Sequence, residues 1–276
     1  MKIISNLILF FKYHFIEVSI PGKSSISYKL WAISRLIKYI LAGGKECGYY
    51  LQEDLEIKNS IGLFYIPKNT DLVLTVSSKS ENNLLKHFDL KDPNGVFLDI
   101  GANAGKYSVM LGNQFPGSKI YSFEPNPTTF GILSRNISLN KLNSKVSLFN
   151  IGVSDSENVL SFDSVNQNTG LSRIVKADQT LTGTITKVAV KSLDFVAKEY
   201  GINPSEIDLV KIDVEGHELE VVTGGKNTFS NMKKGGRLLI EIHPESSNKK
   251  AILELSTSYR FDLQQLDEEY FLATKL

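Results

Sequence analysis

Cysteine is nearly absent. Cys47 stands alone in 276 residues, so the chain can form neither an internal disulfide nor a multi-thiolate metal centre, and a reducing, cytoplasmic setting is expected. A surplus of positive charge is missing too: 31 Lys and Arg face 30 Asp and Glu, a net charge of +1. Without a basic surplus or stripe, the electrostatic case for nucleic-acid binding fails. There is no internal repeat, no low-complexity tract, and no apolar run near the roughly 20 residues of a membrane span. What remains is an ordinary globular mixture, 42% hydrophobic and 22% charged, which excludes global disorder. The length suits one or two domains with a substantial core.

Lys2 followed by Ile3 to Phe11 imitates the opening of a signal peptide, but Lys12, His14 and Glu17 interrupt the run and no small-x-small site follows. Ile3, Ile4, Leu7, Ile8, Phe11 and Phe15 recur at three- and four-residue spacing, which predicts an amphipathic helix. Its apolar face is expected to pack on the body or, by self-association, on a partner chain; a peripheral membrane contact would use the same face. Gly22-Lys23-Ser24 imitates the tail of a phosphate-binding loop, but Glu17 stands where that motif needs its first glycine. A second helix is expected over 27–41, then short strands over 62–66 and 71–76 around a Pro67-Lys68-Asn69 turn. Residues 1–90 are therefore read as an N-terminal cap of helices and short strands, and 91–276 as the main domain.

From Gly95 the pattern alternates. Strands are expected over 96–100, 119–123, 146–151, 207–214 and 237–242, with helices over 104–114, 127–140 and 218–229. That is the signature of an α/β fold, a Rossmann-like, mostly parallel sheet with helices on both faces. Strand-like segments at 259–266 and 270–275, with only Asp267-Glu268-Glu269 between them, add a hairpin and hence an antiparallel strand.

Asp99-Ile-Gly101-Ala-Asn103-Ala-Gly105-Lys-Tyr107 follows the first of these strands and opens a helix. Glycines at 101 and 105 allow a tight turn and a close approach of backbone to ligand. Asn103 occupies the place of the second glycine of a dinucleotide fingerprint, and the third is missing, which disfavours a pyrophosphate. Asp99 suits a ligand carrying positive charge. Glu124, closing the next strand in Phe123-Glu-Pro-Asn126-Pro127, sits where a carboxylate holds ribose hydroxyls in this architecture. Ser154-Asp155 lies further along the same rim, either as an adenine contact or as a plain turn.

These segments, together with Asp208-Leu-Val-Lys-Ile-Asp213-Val-Glu215-Gly-His217-Glu, resemble the FkbM-type methyltransferases over about residues 95–243. The first 90 residues and the 163–186 segment fall outside the resemblance. It implies a class I fold, a seven-stranded sheet with one antiparallel strand, that uses S-adenosyl-L-methionine to methylate hydroxyl groups. On that reading Asp99, Gly101, Asn103, Gly105, Tyr107, Glu124 and Asn126 surround the cofactor, with Asp155 beyond them.

Methyl transfer to an alcohol needs an in-line oxygen and an acceptor for its proton. His217 titrates near working pH and is the candidate base, with Asp213 or Glu215 orienting it or taking the role. Lys211, inside a strand, needs one of these acids as its partner if buried. Asp213, Glu215, His217, Glu241 and His243 would make an oxygen-and-nitrogen metal site, but no tight ligand spacing is present and no metal is assigned. Residues 166–183 read as a lid or hairpin beside the acceptor, with Arg173 and Lys176 available for an anionic one. The expected partner is a small-molecule or glycan hydroxyl acceptor. Two alternatives stay open: a nicotinamide-dependent oxidoreductase on a similar sheet, and a non-catalytic cofactor-binding module docking through its N-terminal helix.

Overall fold

The computed structural model describes residues 54–77, 90, 92–165, 169–175, 181, 183–243 and 246–276. The helices expected over 3–15 and 27–41, Cys47 and Lys176 lie outside the described residues. The described chain opens with an antiparallel hairpin of β1 (Leu55–Lys58) and β2 (Leu63–Ile66), then one helical turn, α1 (Leu72–Thr75). The strand expected over 71–76 is thus corrected to a helix. Leu72, Val73 and Val76 are buried together, and positions i, i+1 and i+4 share a side of a helix rather than of a strand. Packing has overridden the strand preference of the valines.

The main body runs β3 (Val96–Ile100), α2 (Lys106–Gln114), β4 (Lys119–Phe123), α3 (Pro127–Leu139), β5 (Val146–Phe149) and β6 (Gly152–Ser154). It continues through β7 (Asn158–Ser164), β8 (Arg173–Ile174), β9 (Thr184–Ser192), α4 (Leu193–Glu199), β10 (Ile207–Ile212), α5 (Glu218–Gly224) and α6 (Lys226–Ser230). The end is β11 (Arg237–Glu241), α7 (Lys249–Ser258), β12 (Phe261–Gln265) and β13 (Tyr270–Lys275). Seven strands form one sheet in the order β12-β13-β11-β10-β3-β4-β5, parallel except that β13 runs against both neighbours. The expected seven-stranded sheet with its single antiparallel strand is present.

Both sheet faces are covered, so β3 and β10 are buried at every position, as a doubly covered parallel strand requires. Phe97 and Leu209 pack with α2, α3 and the β1–β2 hairpin; Leu98, Ile100, Val210 and Ile212 pack with Val221, Phe229 and Ile252 on the other face. The hairpin is joined to α3 by polar bonds as well. Asn136 Oδ1 accepts from the backbone of Tyr65 at 2.7 Å, and Asn140 both accepts from Leu63 N and donates to Leu63 O. Phe64 and Ile66 are fully buried, worth roughly 1.5–3 kcal/mol each relative to exposure.

The helix expected over 218–229 is two helices, broken at Gly224-Gly225. A Cβ on Gly224 would stand 2.0 Å from the Ser154 carbonyl oxygen, so α5 lies backbone to backbone on β6. The strand expected over 146–151 ends at Phe149, and Gly152 starts a second sheet, β6-β9-β7-β8. That sheet, built largely from a β7–β9 hairpin, has no counterpart in the sequence reading beyond the hairpin alternative for 166–183. No helix among the described residues is long and apolar enough to cross a membrane.

Candidate active site

The strand order reverses between β3 and β10, and a ligand crevice forms outside the carboxyl ends of strands at such a point. The chain leaving β3 turns there through Gly101 (φ 76°), Asn103 (φ 49°) and Gly105 (φ 89°). At Gly101 the need for glycine is absolute: a Cβ would lie 1.8 Å from the Asp213 carbonyl oxygen, on a backbone that side chains already disfavour. The turn is tied to β4, since Phe123 O accepts from both Gly101 N and Ala102 N. It is tied to β10 by Lys211, whose ammonium donates to Gly101 O at 2.9 Å.

Lys211 is buried between Asp213 at 3.1 Å and Asp99 at 3.8 Å. Burial alone would lower its pKa, but Asp213, Asp99 and Glu241 together hold its proton and leave it above the usual lysine range. Asp213 is therefore the acid partner expected for this lysine, and Asp99 adds a second that was not expected.

Glu124 leaves β4 with its carboxylate fixed from both sides. Oε2 accepts Asn103 N at 3.0 Å and Oε1 accepts Asn126 N at 2.9 Å. Burial dominates nonetheless and pushes its pKa up to about 7. Asn150 holds the same turn, donating to the carbonyls of Glu124 and Pro125. Asn126 then caps α3, accepting from Thr128 N, so one short segment sets both the carboxylate and the helix behind it.

Above these strand ends lies a cleft of about 1020 Å³, counting the space open to solvent at its mouth. One side carries Gly101, Asn103 and Glu124 with an apolar wall of Phe123, Pro125, Val153 and Phe162. The other carries Asp213, Glu215, His217, Glu241 and Tyr270. Asn103 Oδ1 is a buried acceptor with no hydrogen-bond partner among the described residues, on the wall of the cleft. Glu215 (φ 52°) and Gly216 (φ 97°) both take the left-handed conformation, the sharp bend that turns the 213–217 segment back over the sheet.

Of the residues singled out in the sequence, Gly101, Asn103, Glu124, Asp213, Glu215 and His217 line the cleft together; Asp99, Gly105, Tyr107, Asn126 and Asp155 do not. Asp99 accepts from Ser108 N and Oγ and faces Lys211, so it braces α2 rather than meeting a ligand's charge. Gly105 lies against Leu133, and the Tyr107 ring sits under the Lys106 and Lys211 ammoniums. Asp155 is exposed and accepts from Ser154 and Ser156. Ser172 and Ile174 reach the wall while Arg173 between them does not, so the cation expected for an anionic acceptor is not presented there.

His217 makes its hydrogen bond through Nε2, while Nδ1 approaches Glu220 at ion-pair rather than hydrogen-bond geometry. Nε2 lies 2.9 Å from Ser154 Oγ and Nδ1 3.5 Å from Glu220 Oε2. Glu215 instead meets His243, at 3.0 Å to Nε2, and the other His243 nitrogen lies 3.7 Å from Glu269. The hydrogen bond that His243 donates to Glu215 is the main cause that raises it to about 9, so it is imidazolium at neutral pH. Glu241, His243 and Glu269 gather side-chain oxygen and nitrogen atoms within 4.8 Å of one another, sharing Glu241 and His243 with the metal alternative weighed in the sequence but not Asp213, Glu215 or His217. The sequence reading missed Tyr270, Phe162 and Thr129, which all line the cleft, while Thr169 and Gly170 reach it from the segment expected beside the acceptor. Only Tyr270 carried a signal: it opens the antiparallel strand and pairs in register with Glu241.

A family model for the FkbM methyltransferase domain matches residues 99–266. A protein named methyltransferase sdnD, of Sordaria araneosa, is 33% identical over 156 residues, which are 48% of this chain and 60% of that one. The hexuronic acid methyltransferase AglP of Haloferax volcanii is 27% identical over 183 residues, 65% and 70% of the two chains. The 2-O-methyltransferase NoeI of Sinorhizobium fredii is 27% identical over 159 residues, 52% and 63%. The chain thus spans about 60–70% of the length of these relatives.

Proposed function

The chain belongs to the FkbM methyltransferase family, and from that premise we propose that it is an S-adenosyl-L-methionine-dependent O-methyltransferase acting on a hydroxyl of a sugar, glycan or other small metabolite. One observation carries the cofactor assignment. The Glu124 carboxylate, aimed at the cleft by two backbone N–H groups, is set to receive both hydroxyls of a ribose. The surroundings fit the rest of a nucleoside: an apolar wall of Phe123, Pro125, Val153 and Phe162 suits a flat base, and the buried Asn103 Oδ1 offers an acceptor that is still to be matched. When bound, the cofactor supplies a methyl group on a cationic sulfonium, which a hydroxyl oxygen attacks in line.

The chain's own part is positioning and charge. Gly101 lets the ligand approach the backbone, Glu124 grips the sugar, and the carboxylates of Asp213 and Glu215 stand at the acceptor side with Lys211 and His243 as their counter-charges. Hexuronic acid and a 2-O position are named for two of the relatives, which supports a carbohydrate hydroxyl as the acceptor class.

The test is a pair of titrations followed by turnover. S-adenosylhomocysteine should bind by calorimetry, whereas NADH should give no saturable fluorescence change. Labelled methyl from the cofactor should then appear on a hydroxyl within a panel of neutral, amino and uronic sugars. NADH binding in place of the nucleoside sulfide would overturn the reading in favour of an oxidoreductase. Nucleoside binding with no methylated product from any sugar would favour a non-catalytic module.

A further inference from the structure

Four carboxylates line the cleft, and three are already committed. Glu124 accepts two backbone N–H groups, Asp213 holds Lys211, and Glu215 holds His243. Glu241, the last residue of β11, differs. The hydroxyl of Tyr270 donates to its Oε2 at 2.7 Å, and its Oε1 makes no hydrogen bond or ion pair with any of the described residues. The Tyr270 contact is fixed by the sheet, because the two residues face each other across the β11–β13 ladder. Of the imidazoles, His217 spends Nε2 on Ser154 Oγ of β6, and His243 is held as imidazolium beside Glu215.

We propose that Glu241 is the catalytic base that takes the proton of the acceptor hydroxyl, and that Tyr270 is its positioning residue. The proposal rests on the O-methyltransferase reading. In the step, the acceptor O–H bond breaks and its proton passes to Oε1 of Glu241, while an oxygen electron pair forms the new bond to the methyl carbon. The C–S bond pair returns to sulfur and cancels the sulfonium charge. A carboxylate and a cation enter; a carboxylic acid, an ether and a neutral thioether leave.

The groups around Glu241 set when it can act. Lys211 faces it from β10, Asp213 and Glu215 from the segment after β10, Tyr270 from β13, and His243 and Glu269 from the adjoining turns. Burial, then the Asp213 charge, raise its pKa to about 8, against the Tyr270 hydrogen bond and Lys211, which lower it. A base titrating there is close to the optimum for work near neutral pH.

Two measurements test this, one free of activity. In the free protein, infrared difference spectra between pH 5 and pH 10 should show a carboxyl group that ionises near pH 8. It should vanish in Glu241→Gln and move to higher pH in Tyr270→Phe, which loses a bond to the ionised form. Spectra identical in wild type and Glu241→Gln would overturn the proposal. In turnover, Glu241→Gln should lose roughly 10²–10⁴-fold in kcat while binding S-adenosylhomocysteine within twofold of wild type. Tyr270→Phe should shift the acid limb of kcat/KM upward with a smaller loss. Glu241→Gln turnover within tenfold of wild type would also overturn it. Failure of the wild type to bind the nucleoside would instead sink the methyltransferase reading, and leaves the infrared result to be judged alone.

Discussion

Glu124 couples proton release to cofactor binding, and the coupling can be measured. In the free protein burial holds its pKa at about 7, so half of the molecules carry a neutral carboxylic acid at that pH. Two ribose hydroxyls donating to it would favour the ionised form, so binding expels the proton and affinity falls as pH drops below 7. The limit is tenfold, about 1.4 kcal/mol, per pH unit. Between pH 8 and pH 5.5 the wild type should therefore weaken by roughly 30-fold for S-adenosylhomocysteine, measured by calorimetry. Glu124→Gln should lack this slope, and comparing the two cancels the ligand's own ionisation. At pH 8 it should bind roughly 10–100-fold more weakly, through lost charged hydrogen bonds worth about 1.5–3 kcal/mol each. Stability carries the matching sign. A carboxyl raised from 4.5 to about 7 on folding binds more protons folded than unfolded in that window. Its contribution is therefore most favourable below pH 4.5 and is lost as pH rises through 7, by about 3 kcal/mol in all. Affinity that is flat from pH 5.5 to 8 in the wild type, or an equal slope in Glu124→Gln, would refute the argument.

Other consequences follow from the same geometry. Gly101→Ala places a methyl 1.8 Å from the Asp213 carbonyl oxygen on a left-handed backbone; it should cost at least about 2 kcal/mol in denaturant melts and abolish nucleoside binding. Lys211→Met leaves Asp99 and Asp213 buried or half-buried without their cation, and should destabilise by roughly 3–5 kcal/mol at neutral pH, with part of the loss recovered in acid, where Asp99, already raised by burial, takes up a proton. His217→Ala removes the link between α5 and Ser154. It should lower stability by about 1–3 kcal/mol yet keep turnover within tenfold of wild type. A loss of more than a hundredfold with intact folding would return the base role to the imidazole.

Legibility in the sequence followed the physics of each segment. The parallel strands were readable because burial on both faces leaves mostly apolar runs such as Val96–Ile100 and Ile207–Ile212, interrupted only by Asp99, Asp208 and Lys211. The glycine turn and Glu124 were readable because backbone constraint forces residue type at fixed spacing. The second sheet was not, since its strands are polar and half-exposed, and their pairing across 20 residues or more leaves no local period. Asp99, Tyr107 and Asn126 mark the limit of motif reading: each belongs to the motif but serves the scaffold, Asn126 capping α3 and Asp99 anchoring α2. Tyr270 marks the opposite case, a strand residue brought to the cleft solely by its register with Glu241.

That division has a physical origin at Lys211. Its ammonium reaches the carbonyl of Gly101 on the cofactor side and the carboxylate of Asp213 on the acceptor side, with Asp99 behind. A single buried cation thus fixes the distance between the turn that would hold the nucleoside and the acids that would meet the acceptor. A like-sized apolar residue would fill the space but lose this side-chain link, leaving the turn held only by backbone bonds to Phe123 O and, through Ile100 O, to Asp213 N. The buried lysine inside β10 is then explained by alignment: in-line attack tolerates little displacement between the two ligands. Displacing Gly101 should for this reason perturb acceptor turnover as well as cofactor affinity, whereas changes at the exposed Asp155 should perturb neither.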